Sequence, residues 1–186
     1  MAAFWLFAGV TFGAEKFTID QTHSSVGFSV KHLVITNVKG SFTNFSGTIM
    51  YDAADIAKSS VSVTINAESI NTNDEGRDKH LRSADFFEVE KYPEITFVST
   101  KIEKTENGLV AHGNLTMHGV TKVIAIPFEI AGPIADPWGK SRMGIEASLT
   151  IDRKDFGITW NKVLDSGGLT VGNEVKIELN IAAIAG

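Results

Sequence analysis

The chain has 186 residues, which is enough for one domain of ordinary size. Hydrophobic residues make up 43% and charged residues 21%, as in globular proteins and unlike disordered ones. A formal net charge of −5 offers no basic surface to nucleic acid or to anionic lipid headgroups, and the lack of cysteine excludes disulfides, thiolate metal sites and cysteine nucleophiles.

The N-terminal segment differs in composition from the rest of the chain. Residues 2–14 carry no charge and are rich in large apolar side chains. A run of this length is too short for a membrane span, which takes about twenty residues, but it suits the apolar part of a secretory signal. No Lys or Arg precedes it. We predict a signal-peptide remnant over 1–14, a domain over 15–186 and a periplasmic or secreted protein; the alternative is an N-terminal strand or helix packed on the domain.

From Phe17 onward the dominant pattern is an alternation of apolar and polar residues, which predicts β-strands. The alternating runs are 26–30, 45–51, 61–65, 95–97, 109–117, 124–130, 143–151 and 175–181. Residues typical of turns separate them at Asn44 with Gly47, 106–108, His118-Gly119, 133–139 and Gly167-Gly168. Asn107-Gly108 predicts a type I′ hairpin, since both central residues of that turn need positive φ. His118-Gly119 predicts a second tight hairpin.

These runs predict an all-β fold of about eight antiparallel strands in up-and-down order, and the lack of helix–strand alternation excludes a parallel α/β sheet. Closure into a barrel removes the exposed edges that a sandwich would leave. Residues 74–87 are the exception, since they predict a short helix in a connecting loop, capped near Asp78, with Phe86 and Phe87 packed on the barrel. An eight-stranded barrel is either filled by its own side chains or holds one slim ligand, and the apolar inward faces favour the ligand.

No set of residues in the sequence requires catalysis. The five histidines at 23, 32, 80, 112 and 118 lack the spacing of a metal site. His32 continues the inward face of 26–30, where it serves as a hydrogen-bonded core residue or as the polar group that meets a ligand head. Residues 77–80 (RDKH) are interpreted as a solvated helix start rather than an active-site loop. No nucleophile elbow or Ser/His/Asp set occurs, so we predict a protein that is not an enzyme.

Blocks of sequence in consistent order carry a resemblance to a known family. The sequence resembles the YceI-like family from about residue 17 to residue 182. Asn173 departs from the pattern, because an acidic residue is usual there. The matching blocks are FTID at 17–20, HSSVGF at 23–28 with His32, GSF at 40–42 with FSG at 45–47, RDKHL at 77–81 with Phe86-Phe87, YPEITF at 92–97, GNLT at 113–116 with HGVTK at 118–122, Arg153 with DFG at 155–157, and VGNEV at 171–175.

The resemblance implies a lipocalin-like, eight-stranded barrel of a secreted or periplasmic bacterial protein. Members of the family enclose long apolar chains such as polyisoprenoids, isoprenoid quinones or fatty-acid derivatives. It implies no required cofactor, with an isoprenoid quinone or polyprenyl lipid as the bound molecule. The expected partner is a long-chain apolar small molecule. The net charge predicts no nucleic-acid partner, the short apolar run predicts no integral membrane segment, and a homodimer is left open.

We therefore predict a protein that binds, stores or transports one long apolar ligand in the barrel lumen. One alternative is a stress-related periplasmic protein with a filled barrel that acts through protein contacts. Another is an enzyme acting on lipid-linked substrates. The predicted lining is Val26, Phe28, Val30, Phe45, Ile49, Val63, Ile65, Phe97, Ile126, Phe128, Ile145, Leu149, Ile177 and Leu179, with Phe86, Phe87 and Trp160 at the mouth and His32 and Arg77 at the ligand head.

Overall fold

A computed structural model describes residues 13–33, 35–163 and 170–186, and most of these form β-strands. The strand segments are β1 (Glu15–Ile19), β2 (Ser25–His32), β3 (Thr36–Phe42), β4 (Phe45–Tyr51), β5 (Ser60–Asn66), β6 (Ile70–Asn71), β7 (Glu94–Thr105), β8 (Gly108–Met117), β9 (Val120–Ala135), β10 (Ser141–Asp152) and β11 (Val171–Ala185). The α-helix α1 is Glu75–Arg82, and short 3-10 helices span Gln21–His23, Ile56–Lys58, Ala67–Ser69 and Arg153–Phe156. No helix within the described ranges is long and apolar enough to cross a bilayer.

These segments form a closed barrel of eight antiparallel strands, which confirms the predicted fold. The first three barrel strands are each interrupted, so that β1 with β2, β3 with β4 and β5 with β6 count as one strand each. Phe17 pairs with Ile49 of β4 on one side and with Ala185 of β11 on the other, which closes the ring. The remaining neighbours follow the chain order, so the topology is up-and-down.

Strand β9 changes its partner halfway along its length. Its second half pairs with β10, and this pairing ends where Phe128 lies opposite Ala147. Its first half pairs with β8, starting where Phe128 lies opposite Leu109. The first half of β9 is therefore hydrogen-bonded to β8 and the second half to β10, and Phe128 is the residue at which both pairings meet.

The hairpin turns differ from the prediction in detail. His118 (φ 52°) and Gly119 (φ 73°) form a two-residue turn, as predicted. The predicted type I′ turn at Asn107-Gly108 is wrong, because the turn residues are Glu106 and Asn107 and only Gly108 has positive φ. The predicted turn over 133–139 is displaced, since β9 continues to Ala135 and reverses over 136–140. Gly167-Gly168 lies outside the described residues.

The predicted helix exists, but its cap is not Asp78. The Asp74 side chain caps α1 by accepting from the Arg77 backbone N–H. Asp78 is buried and accepts from the Thr72 N–H (2.9 Å) and from Thr72 Oγ1 (2.5 Å), so a solvated start is wrong for this residue. Phe86 is buried and Phe87 meets Phe42 edge-on with ring centroids 5.8 Å apart, as the predicted packing requires.

The interior is packed unevenly around the barrel. Inward side chains of β1, β4, β7 and β8 are buried, among them Phe17, Ile49, Phe97, Ile102, Ala111 and Leu115. Many inward side chains of β2, β5, β9, β10 and β11 are only half-buried, among them Phe28, Val61, Val63, Ile65, Ile126, Phe128, Ile130, Ile145, Ala147, Leu149, Ile177, Leu179 and Ile181. The lumen is therefore not completely filled by its own side chains.

Candidate functional site

The barrel has two distinct ends. The lower end carries the 3-10 helix Ile56–Lys58 and the β7–β8 and β9–β10 hairpins. The upper end carries the β2–β3 turn, α1 and the 3-10 helix Arg153–Phe156. Each end contains a cavity, and β11 is the strand segment that contributes side chains to both.

The lower cavity has a volume of about 110 Å³. Its wall is apolar apart from the hydroxyls of Tyr51, Ser59 and Ser60, and no charged side chain lines it. The lining residues are Ile19, Ile49, Tyr51, Ile56, Ser59, Ser60, Val61, Val63, Phe97, Ile102, Ala111, Ile126, Phe128, Ile130, Met143, Ile145, Ala147, Leu179 and Ile181.

A short loop closes the lower cavity toward solvent. Ile56 reaches the cavity from the 3-10 helix that connects β4 and β5. The buried Asp52 shapes this loop, since its Oδ1 accepts from the N–H groups of Ala54 and Asp55, and its own N–H donates to Ser59 Oγ. The loop thus covers the opening without placing a charge inside it.

The upper cavity has a volume of about 180 Å³ and a mixed lining. Its apolar side chains come from strands, from α1, from the loop after α1 and from the segment after β10. Its polar side chains lie on β2, on α1, just before α1 and just before β11. The lining residues are Phe28, Val30, Lys31, His32, Val38, Thr72, Arg77, His80, Leu81, Phe86, Trp160, Thr170 and Val171. This cavity is therefore suited to an amphipathic group.

The Arg77 guanidinium is held in a fixed orientation at the wall of the upper cavity. Its Nε donates to Thr72 Oγ1 (2.7 Å) and its Nη2 donates to the Thr72 carbonyl (2.9 Å). Asp78 fixes Thr72 in turn by accepting from its hydroxyl and its N–H. These bonds leave Arg77 Nη1 for a further acceptor.

Three rings pack together at the mouth of the upper cavity. The His80 ring centroid lies 5.0 Å from that of Phe86 and 4.8 Å from that of Trp160, and Phe86 and Trp160 are 5.2 Å apart. The edge-on contacts of His80 are of the favourable kind. His80 Nε2 also lies 2.9 Å from the Asp85 carboxylate, which ties the helix to the loop after it.

A buried arginine anchors the segment that carries Trp160. Arg153 donates from Nε to the Gly172 carbonyl (2.9 Å) and from Nη1 to the Ile158 carbonyl (2.8 Å). Its Nη2 has no partner among the described residues. Burial lowers the pKa of the Arg153 guanidinium below its ordinary value, because the charged form loses hydration.

The two cavities lie toward opposite ends of the barrel, and Phe28 lines the upper one. Along the inward face of β11, Leu179 lines the lower cavity, Val171 lines the upper one and Ile177 lines neither. Phe28 is the cross-strand neighbour of Ile177, and its ring occupies space that a side chain at Gly40 would need: a Cβ there would lie 2.5 Å from Phe28 Cζ. The ring therefore lies over Gly40 of the neighbouring strand β3.

The predicted ligand-binding residues fall into three groups. Ile49, Val63, Phe97, Ile126, Phe128, Ile145 and Leu179 line the lower cavity. Phe28, Val30, His32, Arg77, Phe86 and Trp160 line the upper cavity. Val26, Phe45, Ile65, Phe87, Leu149 and Ile177 line neither, and of these Val26 and Phe45 are buried in the packed core.

Several lining residues were not predicted. Ala111, Ile130, Met143, Ala147 and Ile181 share the parity of the predicted runs, so alternation alone was enough to find them. Ile56 lies in an irregular loop, where no periodic signal exists. In the described part of the chain, no three His, Asp or Glu side chains are arranged to hold a metal ion.

The chain resembles proteins of known sequence and known structure. The model of the YceI-like domain matches residues 17–183. The UPF0312 protein ECA1782 of Pectobacterium atrosepticum is 43% identical over 153 residues, covering 82% of this chain and 80% of that protein. BcnA of Burkholderia cenocepacia superimposes with a TM-score of 0.77 at 25% identity, covering 88% of this chain and 98% of that one.

A further solved structure shares the fold at lower identity. A polyisoprenoid binding domain from Saccharophagus degradans superimposes with a TM-score of 0.70 at 17% identity, over 91% of this chain and 98% of that one. At this identity the likeness establishes the common barrel alone.

Proposed function

Because the chain belongs to the YceI-like domain family, we propose that it is a carrier that binds one long apolar molecule in the barrel lumen, in the periplasm or outside the cell. No catalytic step and no required cofactor belong to this proposal. The ligand chain lies along the barrel axis, with its apolar part in the lower cavity and its polar end in the upper cavity.

The observation that carries the proposal is the incompletely filled apolar lumen. Most residues of β5, β9, β10 and β11 that line the lower cavity stay half-buried, and no charged side chain lines it. Each Å² of apolar surface removed from water contributes about 25 cal/mol, so a long hydrocarbon in contact with this wall gains affinity without polar contacts. An empty apolar wall of this kind is the usual sign of a small-molecule site.

The shape of the lumen and one structural relative support a choice of ligand class. A narrow axis with polar groups at one end fits an extended polyisoprenoid, isoprenoid quinone or fatty-acid derivative. The S. degradans domain supports the isoprenoid, since a barrel of the same architecture is described as binding one. His32 and the fixed guanidinium of Arg77 are the groups that meet the oxygen atoms of the ligand head.

The size of the lower cavity favours a second candidate. Ligand pockets usually measure about 300–1,000 Å³, whereas this cavity measures about 110 Å³. A barrel that stays filled by its own side chains would act through protein contacts, as a stress-related protein. The carrier requires instead that half-buried side chains rotate aside when the ligand enters.

The test is extraction and mass spectrometry of the purified protein, followed by titration with a quinone, a polyprenol and a fatty acid. A stoichiometric lipid, or uptake of one of these probes, supports the carrier. A protein that is purified without lipid and takes up none of these probes contradicts the carrier and supports the filled barrel.

A pair of variants locates the site. Ala147→Phe fills the lower cavity from β10, whereas Ala125→Phe places the same ring on the outer face of β9. We expect probe affinity to fall about tenfold or more in Ala147→Phe, because the ring takes the space of the chain, and to stay unchanged in Ala125→Phe. Equal affinities in both folded variants would place the ligand elsewhere.

A further inference from the structure

The β9–β10 hairpin ends in an exposed apolar tip, here defined as residues 133–140. Trp138 is 80% exposed and Ile134 is 68% exposed. Pro133 and Pro137 beside them are exposed as well. Two large apolar side chains and two prolines are therefore exposed to water at one protruding turn. An exposed apolar patch of this kind marks an interaction site.

Hydrogen bonds to the Asp136 side chain hold the backbone of the tip in place. Asp136 Oδ1 accepts from the N–H groups of Trp138 and Lys140, both at 2.9 Å, and Asp136 Oδ2 accepts from Arg142 Nε at 2.7 Å. Arg142 Nη1 also donates to Asp20 Oδ2 at 3.0 Å, which fastens the hairpin to the break between β1 and β2. The turn therefore fixes the backbone at Trp138, whose side chain is exposed, and Lys140 is the exposed charge of the tip.

The stem of the same hairpin is a wall of the lower cavity. Ile130 on β9 and both Met143 and Ile145 on β10 line it. The exposed tip and the apolar lumen thus belong to one continuous element at the lower end of the barrel.

We propose that this tip docks on the surface of a lipid bilayer, with Trp138 and Ile134 inserted among the lipid headgroups and the lower end of the barrel facing the membrane. Trp is the side chain that best suits this region, because it pairs a large apolar ring with one N–H donor. The net charge of −5 gives the protein no attraction to anionic lipid headgroups. Binding therefore depends on the insertion of apolar side chains, for which a bilayer of neutral lipid is sufficient.

The exposed area favours a membrane over a second copy of the chain. A Trp and an Ile bury a few hundred Å² at most, whereas a stable protein interface takes about 800 Å² from each partner. A bilayer has no such minimum, since each inserted side chain contributes by itself. The docking does not require a ligand; its role in loading or unloading the lumen rests on the proposed function.

The first experiment measures sedimentation of the protein with phosphatidylcholine vesicles. We expect wild type to bind and the double variant Trp138→Ser/Ile134→Ser to bind at least about tenfold more weakly, because both inserted side chains are lost. The matched control is Val123→Ser, which removes a side chain that is 76% exposed on the outer wall, away from the tip. Equal binding of the double variant and wild type would overturn the proposal.

The second experiment follows the environment of Trp138 directly. In the background Trp5→Phe/Trp160→Phe, Trp138 is the remaining indole of the three in the chain. We expect its emission to shift to the blue with phosphatidylcholine vesicles and to keep that shift at about 1 M salt, where charge interactions are screened within about 3 Å. An unshifted emission with vesicles, or self-association that Trp138→Ser abolishes without any vesicle binding, contradicts membrane docking.

Uptake of a polyprenol from solution separates the two proposals. A double variant that still takes up the polyprenol but no longer binds vesicles supports docking by the tip and carriage by the lumen as separate functions. A wild type that binds vesicles through Trp138 yet takes up no apolar probe contradicts the carrier and leaves the docking intact.

Discussion

At the scale of single residues, the barrel places its buried polar groups where they fix irregular backbone. Asp78, Arg153 and Asp52 are all buried, and each bonds to at least one group in a loop or at a helix end. Each satisfies backbone or hydroxyl groups that a closed loop would otherwise leave without partners. The polar residues of the interior thus hold the ends of the barrel.

Asp78 provides a test of this role. Both of its bonds from Thr72 end on Oδ1, so Asp78→Asn keeps an acceptor there while Asp78→Ala leaves the Thr72 N–H and hydroxyl unpaired. We expect Asp78→Ala to lower the free energy of unfolding by about 1–3 kcal/mol and Asp78→Asn to lower it by clearly less. Urea unfolding at constant m-value measures both, and a larger loss in Asp78→Asn would show that the charge, not the acceptor, matters.

At the scale of elements, tight turns set the register of the long strands. Gly119 has φ of 73°, and a Cβ there would lie 2.5 Å from the Tyr92 ring. Gly139 has a similar φ of 83° with no atom within 4 Å of the same Cβ. A side chain at Gly139 therefore introduces backbone strain alone, whereas a side chain at Gly119 introduces backbone strain and a steric clash with Tyr92.

We expect Gly139→Ala to cost about 1–2 kcal/mol, which is the strain of a left-handed residue with a Cβ. Gly119→Ala carries the same strain and must also displace Tyr92, so its cost is larger. Thermal or urea unfolding of the two variants gives the comparison. Equal losses would mean that the Tyr92 ring moves aside freely.

The elements also show which parts of the structure the sequence could predict. Alternation predicted the closed barrel and the inward faces, since period two follows from strand geometry itself. It could not predict that the Phe28 ring lies over the neighbouring strand, because this depends on the absence of a side chain at Gly40. The cap at Asp74 rather than Asp78 was equally hidden, since both residues suit a helix start and tertiary contact with Thr72 decides between them.

At the scale of the whole molecule, acid stability depends on charges that tie the hairpin to the start of the barrel. The bond with His23, and then the one with Arg142, lowers the pKa of Asp20 below its ordinary value of 3.8. The bond with Arg142 lowers the pKa of Asp136 in the same direction. Carboxyls with a lowered folded-state pKa stabilise the protein fully above the unfolded value and lose that contribution as the pH falls below it.

We therefore expect the free energy of unfolding to fall as the pH drops through and below about 4, and to fall less steeply in Arg142→Met. That variant removes the cation shared by both carboxyls, so their folded and unfolded pKa values come closer together. Urea unfolding between about pH 6 and pH 2.5 measures the slope. Identical slopes would show that the pairing does not differ between the folded and unfolded states.

The closure of the ring determines when, during synthesis, the barrel can be completed. The gap is sealed where Phe17–Ile19 meets Ala183–Ala185, so the two strands that seal it stand at opposite ends of the sequence. During synthesis a wall is missing until the last of these residues has emerged, and such long-range pairing makes folding slow. The closed lumen therefore forms only after residues 183–185 have been synthesised and have paired with β1.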